Sequence, residues 1–314
     1  MLGRKLVDRL ISDGLGERSI NSFTLMDIIK PDNPTNFDGT IKAVAADISK
    51  AETARTLVKD RPDVIYHLAA IVSGEAEQDF ARGNSINLDG TKHLLEAIRA
   101  QAETSDYSPR FVFSSSIAVF GPPLPDVIED TQRLTPLSSY GAQKAMGELM
   151  VADYTRKGFV DGISLRLPTV TVRPGKPNRA ASGFYSGIIR EPLNGVEAVL
   201  PVPRDTRHWF QSPRLAISNL VHAGHVSLKT MTPDRALSLP AVSASVQEMM
   251  DALERIAGSD VLALIKEEPD EFIQNVVLGW PRAFNPKRAK ALGFQQDVDF
   301  ESIIQTYLED DKVG

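Results

Sequence analysis

The 314-residue sequence contains no cysteine, which excludes disulfides, iron–sulfur clusters, thiolate zinc sites and a cysteine nucleophile, and suits the cytoplasm. No long apolar run is present, so the sequence offers neither a signal peptide nor a membrane anchor. A basic excess is also lacking: the formal net charge is -6, which argues against a nucleic-acid surface. Histidine is scarce at five residues, and only His222 and His225 share a helical spacing. With no carboxylate pattern beside them they read as surface or packing residues rather than metal ligands. What remains is ordinary globular composition, 42% apolar and 24% charged, in a chain long enough to bury a full core.

The first half alternates β-rich runs with amphipathic stretches. Strand candidates are Phe23–Ile28, Ile41–Asp47, Val64–Ala70, Arg110–Ser116 and Gly162–Pro168, several of them apolar on consecutive residues, as in strands covered on both faces. Helix patterns fill 51–59, 77–102 and 137–157. This alternation predicts an α/β fold with a doubly wound parallel sheet over residues 1–170. From 171 to 314, turn-rich pieces interleave with helices near 183–193, 213–229, 245–257 and 299–309. They predict a smaller C-terminal substrate-binding lobe, some of whose segments return to the sheet.

The opening is unusual. Residues 2–11 read as a helix already under way, with Leu6, Val7, Leu10 and Ile11 on one face. A dinucleotide-binding unit opens with a strand and a glycine-rich turn ahead of such a helix. Both are absent here, and Gly3 stands only as the last glycine of that turn. The expectation is an upstream extension of about a dozen residues, reading strand then glycine-rich turn.

Asp27 ends the first strand candidate, 24 residues beyond Gly3. A carboxylate at about that distance accepts hydrogen bonds from an adenosine ribose diol and repels a 2′-phosphate, which favours NAD over NADP. Asp47 and Ile48, at the next strand end, are placed to bracket an adenine. The small residues of Leu68-Ala69-Ala70 allow close approach of a cofactor. Asn87 falls inside a helix pattern, where asparagine is a poor choice, and that misfit suggests a buried hydrogen-bonding role.

The most specific constellation is Tyr140-Gly141-Ala142-Gln143-Lys144, preceded by Ser114-Ser115-Ser116. Tyrosine and lysine at i,i+4 share a helical face. A nearby ammonium favours the phenolate and lowers the tyrosine pKa from its usual value of about 10, as proton abstraction from an alcohol requires. Ser116 is placed to hydrogen-bond the substrate oxygen.

On these residues nearly the whole chain resembles the extended short-chain dehydrogenase/reductase family, with its NAD-dependent epimerases and dehydratases. The resemblance implies that Ser116, Tyr140 and Lys144 are catalytic and that Lys144 also binds the nicotinamide ribose. It further implies that Asn87 is a structural, cofactor-linked asparagine and that Leu68, Ala69, Ala70, Pro168 and Thr169 lie along NAD. Many nucleotide-sugar members carry an aromatic–asparagine pair where this chain has Leu167-Pro168-Thr169. Segments around Ser73, Arg173, Arg190 and Arg207 instead resemble the D-erythronate dehydrogenase subgroup, which implies oxidation of a four-carbon sugar acid.

Arg173, Lys176, Arg190, Arg204 and Arg207 all fall in the covering lobe, where a guanidinium suits a carboxylate or a phosphate. Arg207 is the preferred clamp; Ser73, Ser116, Tyr140 and Arg173 complete the expected substrate set. The alternatives are a nucleotide-sugar epimerase or dehydratase and a non-catalytic binding protein derived from the same fold. No metal is expected. The partners expected are a small acidic molecule and a second copy of the chain, paired through the helices near 77–102 and 137–157.

Overall fold

The computed structural model describes residues 1–175 and 181–312. Helix α1 (Leu2–Asp13) precedes two parallel strands, β1 (Ser22–Asp27) and β2 (Thr40–Ala45). After α2 (Ala51–Val58) and β3 (Val64–His67), a broken helical stretch leads into α3 (Gly90–Ala102). Then follow β4 (Arg110–Ser116), α4 (Ser139–Arg156), β5 (Asp161–Leu167) and the short β6 (Thr169–Val170). The second half contributes α5 (Gly183–Leu193), β7 (Arg207–Gln211), α6 (Pro213–His225), β8 (Ala236–Ser238), β9 (Val242–Ser245), α7 (Val246–Ala257) and α8 (Phe300–Asp310).

The main sheet is parallel, in the order β8-β5-β4-β3. Both of its faces are buried, as the consecutive apolar residues of β4 require. Phe111 and Phe113 join Ala54, Val58, Leu95, Ile98 and Val151 on one side. Val112 joins Leu6, Leu10, Ile217 and Leu220 on the other. Strands β1 and β2 form a separate parallel pair, and β1 is not bonded to β3. A large cavity runs between those two strands and along the strand ends.

The second-half core is separate. Tyr185, Ile188, Phe210, Met249, Leu253 and Ile304 pack together. From the second half, β8 pairs with β5, and α6 packs on α1 and β4.

The predicted helix over 77–102 is not continuous. Helices Ser73–Gln78 and Phe80–Gly83 meet at Asp79, whose backbone leaves helical geometry while its carboxylate caps the Arg82 amide. A wide turn with i→i+5 bonding, Asn84–Asp89, then carries Asn87 inward. Such turns re-aim side chains at functional places. His222 and His225 are packing residues: His222 bonds the Leu292 carbonyl at 2.7 Å, and the two rings meet edge to face.

Candidate active site

Three neighbouring structures bring the predicted catalytic residues together. β4 ends at Ser116, where the chain turns through Ile117–Val119 and the Ser116 hydroxyl accepts the Ala118 amide at 3.1 Å. Helix α4 begins at Ser139, capped by the Ser138 hydroxyl on the Gly141 amide. Gly141 and Gly147 then permit the helix to lie against β4: a β-carbon at Gly147 would stand 2.6 Å from the Phe113 ring. In this close packing the Ser116 hydroxyl acts on the Tyr140 phenol and draws its pKa down.

Lys144, one turn on, is almost fully buried and donates to the Ser114 carbonyl at 2.7 Å. Its ammonium position lies 5.6 Å from the centre of the Tyr140 ring. Burial pushes the Tyr140 phenol up to about 12 against the opposing Ser116 hydrogen bond. Burial also pulls Lys144 down to about 7, resisted by the Glu148 carboxylate. The expectation that Lys144 lowers the tyrosine pKa is therefore corrected for this arrangement. Desolvation penalises the charged form of each and is the largest cause of both shifts.

Behind the pair sits a network that sequence reasoning missed. Glu148, one turn beyond Lys144, accepts the Ser115 hydroxyl at 2.5 Å and a bidentate Arg166 guanidinium at 2.7–2.9 Å. Both partners of the ion pair are buried. The 140, 144, 148 spacing along one helix face was the available signal.

Most of the other predicted residues line one cavity of roughly 2450 Å³ along successive strand ends. Asp27 and Asp47-Ile48 border it after β1 and β2; Leu68, Ala69 and Ala70 follow β3; Pro168 and Thr169 follow β5. Gly3, in the first turn of α1, borders it as well, where a helix N-terminus favours an anion. Asp27 is exposed, and one of its carboxylate oxygens accepts the Ile28 amide. This row of acidic, small and hydroxyl-bearing positions crosses successive strand ends and fits an extended dinucleotide. Asn87 needs a correction: it does not border the cavity. Its side chain bonds the backbone of Ile71 and the Gln143 amide at 2.8–3.3 Å, fastening the loop after β3 to α4.

The expected substrate residues divide. Ser73, Arg173 and Arg190 border the cavity. Arg173 bonds Ser182 and Ser186, and Arg190 donates to the Arg173 carbonyl while pairing with Glu191. Burial and the adjacent Arg190 charge hold the Arg173 pKa below its usual value. Arg207 does not border the cavity: strand alternation turns it to Ser243 and Glu248, 2.7 Å away, and brings His208 to the cavity instead. Arg204 pairs with Glu267 on the surface, and Lys176 lies outside the described residues.

Residues 1–210 match the model of the NAD dependent epimerase/dehydratase family. The chain belongs to that family. Among curated relatives, D-erythronate dehydrogenase of Cupriavidus necator is 44% identical over 93% of this chain and 88% of its own length. D-erythronate dehydrogenase of Haemophilus influenzae is 41% identical over 99% and 96%. Among solved structures, the nucleoside-diphosphate-sugar epimerase from Agrobacterium tumefaciens is 53% identical with a TM-score of 0.96, covering 98% of this chain and 91% of its own. An L-threonine dehydrogenase from Clostridium difficile, 21% identical with a TM-score of 0.83 over 98% and 93%, shares the fold. NAD is the cofactor to which the family points. No described helix is long and apolar enough to cross a membrane.

Proposed function

We propose that the chain oxidises a short 2-hydroxy sugar acid of the D-erythronate type to its 2-keto acid with NAD. The observation that carries this reading is the pair of guanidinium groups, buried Arg190 and half-buried Arg173, on the cavity that holds Ser116, Tyr140 and Lys144. Arg190 already pairs with Glu191, and its charge beside Arg173 lowers the Arg173 pKa; a small carboxylate at Arg173 relieves that repulsion and offers bidentate geometry. The names of the Cupriavidus and Haemophilus relatives support the same substrate.

NAD, when bound, supplies the two-electron acceptor for hydrogen leaving the carbinol carbon. Ser116 and Tyr140 hold the substrate hydroxyl, and the phenolate of Tyr140 takes its proton as the carbonyl forms. Lys144 would bind the nicotinamide ribose and balance the tyrosinate. Asp27 would hold the adenosine ribose diol. Pro168 and Thr169 would flank the nicotinamide, and Asn87 acts by holding the loop that carries Leu68, Ala69 and Ala70.

The expected assembly is a cytoplasmic homodimer. Its support is the exposed apolar surface of Met146 and Leu149 on α4, together with exposed Phe80 in the helical stretch before α3. Leu149→Asp is expected to halve the mass seen in sedimentation.

The deciding experiment is a screen of four-carbon sugar acids with NAD, read by NADH absorbance. Stoichiometric NADH from a hydroxy acid supports the proposal. The second reading, epimerisation of a nucleotide sugar, is favoured by the name of the Agrobacterium protein. Epimerisation of a UDP-sugar with no net NADH from any sugar acid would overturn the first reading.

A further inference from the structure

Thr169 and His208 both border the cavity, and neither has a part in the proton transfer described above. Strand β6 runs beside β7 with Thr169 opposite Phe210, and His208 lies two residues earlier on the same strand face. Thr169 Oγ1 and His208 Nε2 are 2.7 Å apart, while His208 Nδ1 is 3.1 Å from the Pro281 carbonyl. The ring cannot turn freely: it stacks on Tyr185 with centroids 5.4 Å apart and packs against Trp280 at 5.1 Å.

These contacts fix every proton. A carbonyl only accepts, so Nδ1 carries hydrogen and donates to Pro281. Burial pulls the imidazole pKa down to about 3, so the ring is uncharged and Nε2 offers a lone pair. Thr169 therefore gives its one hydroxyl proton to Nε2. What the Thr169 oxygen still offers is acceptance alone. It can bond a donor and has nothing to give a carbonyl or carboxylate.

The location limits the donor. Ser116 sits opposite Leu167 in the sheet, and Thr169 is two residues further along. A ligand held at Ser116 and Tyr140 thus has Thr169 at the adjoining strand end. Resting on the sugar-acid reading above, we propose that Thr169 is a specificity residue that accepts a hydrogen bond from the substrate hydroxyl next to the oxidised carbon. His208 is its positioning residue, holding the hydroxyl proton away from the substrate. Such a site selects polyhydroxy acids over their deoxy counterparts, because a missing donor leaves a committed acceptor unpaired.

The test compares NAD reduction with 2,3,4-trihydroxybutanoate and with its 3-deoxy analogue. For Thr169→Val we expect the ratio of kcat/KM on the trihydroxy acid to that on the 3-deoxy analogue to fall roughly tenfold. Thr169→Ser, which keeps the hydroxyl, should retain the preference. His208→Phe should lose it, and adding it to Thr169→Val should cost nothing more. If His208→Phe fails to fold, the Thr169 series alone decides.

An equal loss on both acids with a raised KM for NAD would assign the acceptor to the cofactor and overturn the inference. An unchanged preference in Thr169→Val, with wild-type turnover intact, would overturn this inference alone. Absence of wild-type turnover with any hydroxy acid would overturn the functional reading and this inference together.

Discussion

Gly141 packs so tightly on Ala118 that a β-carbon at position 141 would stand 2.1 Å from the Ala118 carbonyl oxygen. This contact sets the distance between the start of α4 and the end of β4, and hence between Tyr140 and Ser116. Gly141→Ala is expected to push the helix terminus outward. Turnover should fall at least tenfold while circular dichroism stays native, since about an ångström of misplacement costs about two orders of magnitude in rate. A Gly141→Ala enzyme of normal kcat would show that the contact does not position the tyrosine.

Tyr140→Phe removes the proton acceptor and keeps the ring. We expect turnover to fall by roughly 10²–10⁴ with NAD affinity unchanged, and Lys144→Ala to weaken both. With the phenol pushed up to about 12, the oxidation rate should climb steadily above neutral pH. A rate constant from pH 7 to 10 would argue against Tyr140 as the base. Steady-state kinetics with parallel cofactor titration measures all three.

Breaking the buried pair at Glu148 leaves the Arg166 charge without a partner. Glu148→Gln is expected to destabilise the protein by about 3–5 kcal/mol in urea denaturation. The double variant Glu148→Gln, Arg166→Met should recover part of that loss. Equal loss in the single and double variants would mean that the unpaired charge is not the cause.

His67 is buried against Thr91, and burial pulls it down to about 3. Its unfolded pKa is about 6.5. Above that value neither state is charged and the residue adds no pH dependence. As pH falls from 6.5 toward 3 the unfolded chain binds a proton that the folded chain refuses, so stability is lost. His67→Gln should therefore shrink the drop in urea midpoint between pH 7 and pH 4.5. An identical drop in both proteins would sink this assignment.

Asp27 stands at the cavity edge with its carboxylate exposed. NAD should be preferred over NADP by at least tenfold in kcat/KM, and Asp27→Asn should narrow the gap. Equal efficiency with both cofactors in the wild type would remove Asp27 from the ribose site.

The local sequence determined most of the elements and the spacing of the proposed catalytic trio. Five strands and the helices over 51–58, 139–156 and 183–193 fall within a few residues of their predicted ends, because hydrophobic period and capping residues act over short distances. Tyr140 and Lys144 were legible because one helix fixes their spacing, and Ser116 because it ends a strand. Which side chains face the cavity was decided only by the tertiary structure. Arg207 and His208 are neighbours in sequence, yet strand alternation sends the first to Glu248 and the second to the cavity. Asn87 was legible as a misfit, while its partners Ile71 and Gln143 lie 16 and 56 residues away. The raised tyrosine and lowered lysine likewise depend on burial, which belongs to the packed whole and not to any short stretch of chain.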